Sequence, residues 1–292
     1  MTATQSESPT PAPLGPLRTA LESARQTLGM LCYRKLVWYA PISLALMFAF
    51  AYVVAGRGGD AVEGAHLYCV IAWWGLGTVL VPWATLYLGV QSVHGELEDR
   101  TSQYLFLRPV RRVPLLVGKW LAVVAVGAGF ASAAATSLYF GLAARPDIWV
   151  DGQEPALIGT FSIVLSLGVV ANAGAAMFFG ATFRRPLAWA AFFVVGVQML
   201  AANLPVSAGM RRLTITDPLR RCLLDQLEPT RKLARELWPA ERGEARSFED
   251  LSGAFALEFG SPLMDALLFT LVCLTLGAWR YARTEYESRS RD

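Results

Sequence analysis

Charge is scarce in this sequence: 17% of its 292 residues are Asp, Glu, Lys or Arg, against about 25% in an ordinary soluble domain. Histidine is scarcer still, with only His66 and His94, which leaves no imidazole set from which a metal site could be built. The four cysteines, Cys32, Cys69, Cys222 and Cys273, stand far apart with no CxxC or similar ligand spacing, so neither a disulfide framework nor a thiolate metal site is expected. There is no GxxxxGK[ST]. The lone Gly-Lys pair, Gly118-Lys119, is followed by Trp120 and opens an apolar block, so it cannot form a phosphate-cradling loop. The chain is therefore not expected to hydrolyse ATP or bind a cofactor by itself. No Ser/His/Asp set and no paired acids recur at a common position along the apolar blocks, which argues against a membrane hydrolase. The blocks also lack buried carboxylates and histidines; Lys119 and Asp265 lie near block ends. Ion-coupled carriers need such groups, because an intramembrane charge is costly and kept only for use.

What the sequence does have is apolar length. Hydrophobic residues make up 54% and aromatics 11%, with a mean hydropathy of +0.39. They fall into long blocks: Leu36 to about Gly56, His66 to Val93, Pro114 to Ala144, Pro155 to Phe183, Pro186 to Val206, and Pro262 to Tyr281. A bilayer core needs about 20 mostly apolar residues per helical span, and backbone groups in lipid must be satisfied internally. The expected fold is therefore an all-α membrane protein of six spans. Pro82 is placed to kink the second span. Arg184 and Arg185 alone join the fourth block to the fifth, which predicts a tight antiparallel hairpin.

Orientation follows from where the basic residues fall. With the N-terminus in the cytoplasm, the inner segments hold Arg18, Arg25, Arg34, Lys35, Arg100, Arg108, Arg111, Arg112, Arg184, Arg185, Arg280, Arg283, Arg289 and Arg291. The short outer loops hold Arg57 and Arg145, one each, beside Asp60, Glu63, Asp147, Asp151 and Glu154. This orientation puts both termini in the cytoplasm and residues 207–261 outside. That loop is also rich in arginine, but acidic residues such as Asp217, Asp225, Glu228, Glu236, Glu241 and Glu244 balance it, and long loops weigh little in the charge rule. Within it Leu219, Cys222, Leu223 and Leu227 recur at helical spacing, as do Leu233 and Leu237. They predict amphipathic helices on the outer surface or covering the bundle. Residues 1–16, rich in Ser, Thr and Pro, read as a disordered cytoplasmic tail rather than a signal peptide, and residues 282–292 as a C-terminal tail.

Two segments flank the spans at the expected cytoplasmic side. In residues 17–35, Leu17, Leu21, Ala24, Leu28 and Leu31 recur at helical spacing with Arg18, Glu22 and Arg25 on other faces, the pattern of a helix lying in the membrane interface. Residues 94–113, between the second and third blocks, carry an ordered series of features. An acidic cluster, Glu96, Glu98 and Asp99, is followed by Arg100 and Thr101. A short apolar run, Tyr104, Leu105, Phe106 and Leu107, then ends at Arg108-Pro109-Val110 and Arg111-Arg112, and Gly118-Lys119 opens the next block. A loop that merely obeyed the charge rule would need the arginines and nothing else. Among deeply placed polar residues Asn172, Gln198 and Asn203 stand out; they are suited either to bonds between helices or to the lining of a solute path.

The series from Glu96 to Lys119 resembles the signature of ABC type-2 transporter permeases, with Arg100 where many members have glycine before the threonine. The resemblance covers about Leu17 to Tyr281. It implies a permease domain over residues 17–281, with 17–35 as its connecting helix and 94–113 as the coupling segment. It also implies a separate ABC ATPase subunit that supplies ATP and Mg, and a second permease copy or homologue with the substrate path between them. Export across a cell (inner or cytoplasmic) membrane is implied as well. In that reading Tyr104 to Leu107 enter a groove of the ATPase, since a short apolar helix lodged in a partner transmits motion. Arg108, Arg111 and Arg112 then meet its rim or anionic membrane lipid. Nucleic acid is not an expected partner. A membrane scaffold that moves no solute and a secondary carrier are the alternatives.

Overall fold

The computed structural model describes residues 15–33, 36–57, 64–98, 112–144, 154–201, 214–226 and 261–283. Among them every regular element is helical. In chain order these are α1 (Pro16–Tyr33), α2 (Leu36–Arg57), α3 (Gly64–Ile71), a π-helical stretch Ala72–Leu80, and α4 (Val81–Glu98). Then come α5 (Arg112–Ala143), α6 (Glu154–Thr182), α7 (Pro186–Phe192), a second π-helical stretch Phe193–Ala201, α8 (Thr216–Gln226) and α9 (Pro262–Arg283). Among the described residues four stretches are long and apolar enough to cross a membrane: Leu67–His94, Arg112–Ala143, Ala156–Thr182 and Pro262–Arg283. The first and fifth expected spans correspond to shorter apolar helices, Ala40–Gly56 and Pro186–Met199.

The second span shows how Pro82 is accommodated. A proline there offers no N–H and would crowd the carbonyl four residues back. The helix widens just before it, and the Val81 N–H reaches the Leu76 carbonyl, five residues back. The expected kink thus takes the form of a π-helical stretch. Between α6 and α7 only Phe183, Arg184 and Arg185 intervene, and Pro186 occupies the first turn of α7.

Helices α5 and α6 form the centre. The most extensive contacts are α9 on α6, α1 on α5, α5 on α6, and α4 on α6. Small residues set the separations: a methyl at Gly127 would lie 2.7 Å from Val169, one at Gly174 3.2 Å from Thr270, and one at Gly180 3.1 Å from Val93. Membrane helices lack a hydrophobic drive to associate and rely on such close approach. One apolar cluster joins Tyr68, Leu76, Leu138, Phe161 and Leu165 with Leu219 and Leu223 of α8. Within it the Tyr68 ring meets Phe161 edge-on at 5.3 Å. Helix α8 is thus packed into the bundle by the face that its leucine spacing marked, with Leu219 against Gly168 at the middle of α6.

Candidate functional site

The residues flanking the connection between α4 and α5 form the first region of interest. Asp99, Arg100, Thr101, Tyr104, Leu105, Phe106, Leu107, Arg108, Pro109 and Arg111 lie outside the described residues, as does Asn203. Glu96 and Glu98 are on the last turns of α4, and Arg112 is the first residue of α5. From Arg112 onward the geometry is explicit. The Arg112 guanidinium donates to the Ala282 carbonyl at 3.3 Å, tying the start of α5 to the end of α9. Two turns on, Gly118 faces α1. A methyl placed there would collide with the Ala20 carbonyl and lie 2.8 Å from the Ser23 Cβ. Only glycine lets the two backbones approach this closely. Beside it the Ser23 hydroxyl donates to the Leu115 carbonyl at 3.0 Å.

Lys119 is 3% exposed, and its ammonium donates to the Ser92 carbonyl of α4 at 3.1 Å. A buried ammonium is tolerated only where oxygens replace its water; here the backbone of the neighbouring helix supplies one. Directly behind these ties lies a cluster made of Leu31, Leu88, Val93, Leu116, Val123, Ala173, Met177 and Tyr281. Its members come from α1, α4, α5, α6 and α9. Both ends of the 99–111 connection therefore enter helices anchored in one shared cluster.

On helix α1 the buried residues are Thr19, Ala20, Ser23, Thr27 and Leu31, while Ala24 and Leu28 are half-buried and Leu17 and Leu21 exposed. The hydroxyls of Thr19 and Thr27 turn back to the Gly15 and Ser23 carbonyls, so they can face α5 without an unmet donor. Small residues admit the close contact at Gly118. The spacing of Thr19, Ser23 and Thr27, four residues apart, was the signal available for this face.

The second region is polar and deep. Asn172 of α6 and Gln198 of the second π-helical stretch are 1% and 2% exposed, and the Gln198 amide donates to the Asn172 Oδ1 at 2.7 Å. The Asn172 amide in turn donates to the Gly168 carbonyl at 2.8 Å. The Thr216 hydroxyl of α8 reaches the Gln198 carbonyl at 3.4 Å. One chain of bonds thus joins α6, the π-helical stretch and α8. Asp217 pairs with Arg221 one turn along α8, at 2.8 Å. Thr214, Thr216, Asp217 and Arg220 are all buried; the sequence marked Leu219, Cys222 and Leu223 as the packed face and Asp217 only as part of the loop's charge balance. Among the described residues no three His, Cys, Asp or Glu side chains gather closely enough to hold a metal ion.

Among the described residues no nucleophile, base and electrophile lie in mutual reach. The arrangement offers a junction of five helices beside a connection rich in charge, and a polar tie within the bundle. Against known proteins, a family model described as ABC-2 family transporter protein matches residues 19–286, from the first turn of α1 to just past α9. No curated protein matches the chain significantly.

Proposed function

Because the chain belongs to the ABC-2 transporter family, we propose that it is the membrane-spanning permease subunit of an ATP-driven exporter. It has six spans in this reading, α2 and the α7 segment being the first and fifth, with both termini in the cytoplasm. ATP and Mg bind a separate ATPase subunit. A second permease, identical or homologous, completes the path for substrate.

The observation that carries the reading is the convergence of α1, α4, α5, α6 and α9 on one cluster at the ends of the 99–111 connection. A partner that pushes on that connection moves α4 and α5 directly. Through the Ser23–Leu115, Lys119–Ser92 and Arg112–Ala282 bonds it moves α1 and α9 as well. Packed interiors pass on displacement because they are dense and incompressible. A lone loop would instead absorb the motion. In this mechanism Tyr104 to Leu107 seat in the ATPase, Arg108 and Arg112 orient the contact, and Gly118 and Lys119 make the receiving end stiff. Asn172 and Gln198 serve as a tie between helices within one copy, which leaves Asn203 of the three polar residues as the candidate for lining the path.

The test is affinity capture of the detergent-solubilised chain from its own membranes, followed by mass spectrometry. A soluble subunit with a phosphate-binding loop, present in near-equal amount, is the expected companion. Replacing Leu105 and Phe106 with aspartate is expected to abolish its capture while the chain remains monodisperse. Capture unchanged by that pair of substitutions would sink the coupling assignment. A chain that never brings down an ATPase would point to a scaffold or a carrier.

A further inference from the structure

The turn between α6 and α7 carries features that coupling and transport do not use. Arg184 and Arg185 are adjacent and exposed, and neither side chain has an ion pair, hydrogen bond or ring contact among the described residues. The turn itself is firmly held. The Phe183 N–H reaches the Phe179 carbonyl at 3.1 Å, the Trp189 N–H reaches the Arg185 carbonyl at 3.4 Å, and Pro186 is buried. The Phe183 and Trp189 rings stack at 4.8 Å with 24° between their planes. Trp189 is nevertheless 47% exposed, and its indole N–H has no acceptor among the described residues. On α7 and the stretch that follows, Leu187, Phe192 and Val195 are exposed as well.

An arginine pair bathed in water is the ordinary reading of such a turn. It accounts for the charge, but not for a fixed ring stack and an apolar helix face beginning within a few residues of it. Trp concentrates at the level of lipid headgroups, where one end of the ring system is wet and the other apolar. Guanidinium groups match phosphate oxygens in pairs. We propose that the α6–α7 turn binds an anionic phospholipid. Arg184 and Arg185 hold the phosphate, the Trp189 indole donates to the headgroup region, and the acyl chains lie along Leu187, Phe192 and Val195. The proposal requires only that the chain spans a bilayer and does not depend on the transport reading.

Each arginine near an anionic headgroup is worth about a five-fold change in affinity, so the pair contributes about 25-fold. The test uses the purified full chain in phosphatidylcholine nanodiscs doped with a minor fraction of phosphatidylglycerol, with retained lipids counted by native mass spectrometry. The Arg184→Gln/Arg185→Gln chain is expected to lose a retained phosphatidylglycerol, and Trp189→Leu to weaken its retention. Arg25→Gln, at an exposed position on α1, is expected to leave retention unchanged. All three changes are at exposed positions, so melting temperatures near wild type confirm that folding is intact. Equal retention in the double variant overturns the site, and so does an equal loss in Arg25→Gln, which would reduce the effect to general surface charge. Retention unchanged together with lost ATPase capture would assign the turn to a protein partner and also overturn the proposal.

Discussion

Gly118 is the position where packing can be tested most directly. An added methyl collides with the Ala20 carbonyl of α1 and lies 2.8 Å from Ser23 and 3.0 Å from the Ala24 nitrogen. Two of the three obstacles are backbone, so no side-chain rotation relieves them, and α1 must move. Overpacking of this kind costs about 1–3 kcal/mol. Displacing α1 also breaks the Ser23–Leu115 bond, worth about 0.5–1.5 kcal/mol. Against this, alanine gains about 1 kcal/mol over glycine as a helix former. The net loss for Gly118→Ala is then about 1–3 kcal/mol, or a fall of about 3–9 °C in melting temperature. Gly129, on the same helix, has nothing within 4 Å of an added Cβ. Gly129→Ala is therefore expected to melt at or slightly above wild type. The assay is thermal denaturation of the detergent-purified chains, followed by the fraction surviving gel filtration. If Gly118→Ala melts with wild type, or if both variants fall equally, the close α1–α5 approach is not what holds this end together. Ser23→Ala, which removes only the bond, should fall by less than Gly118→Ala.

Other outcomes can be checked on the same material. Asn172→Leu and Gln198→Leu each strand a buried amide and should cost about 1–2 kcal/mol. The double variant should cost less than their sum by about 1 kcal/mol, and strict additivity in denaturation would refute the bond. In a chain whose four native cysteines are replaced by serine or alanine, single cysteines at Arg57 and Arg145 should react with an impermeant maleimide in intact cells. Cysteines at Arg184 and Arg289 should not, and the reverse pattern would invert the proposed orientation.

The helices were largely legible because lipid demands length. The third, fourth and sixth blocks, Pro114 to Ala144, Pro155 to Phe183 and Pro262 to Tyr281, reappear as α5, α6 and α9 within a few residues at each end. Composition states whether a helix is apolar but not which side of it meets a neighbour. On α1 the leucine spacing marks an apolar stripe, but the face that meets α5 is the one carrying Ala20, Ser23 and Thr27. Proline at 82 signalled an irregularity without saying that it would take the form of a wide turn. Asn172 and Gln198 were visible as rare polar residues at depth, but their mutual bond depends on how α6 and the π-helical stretch are brought together, which no local pattern encodes. The burial of Asp217 and Arg220 was hidden for a related reason. Charged residues in a sequence read as surface, and it is the packing of α8 into the bundle, with Asp217 paired to Arg221, that the local pattern did not reveal.

The cluster that unites the five helices also sets a condition on biogenesis. It includes Leu31 of α1 and Tyr281 of α9, the first and last of the described helices. At about 5–20 residues per second of synthesis, on the order of tens of seconds separate the two. In the last part of that interval, once Thr182 has been added, α1, α4, α5 and α6 are already made, but the flank that α9 will cover stands open to lipid or to other chains. A nascent chain halted before Pro262 therefore presents an unfinished seam at the end where the 99–111 connection sits, and quality control in the membrane has a defined feature to recognise.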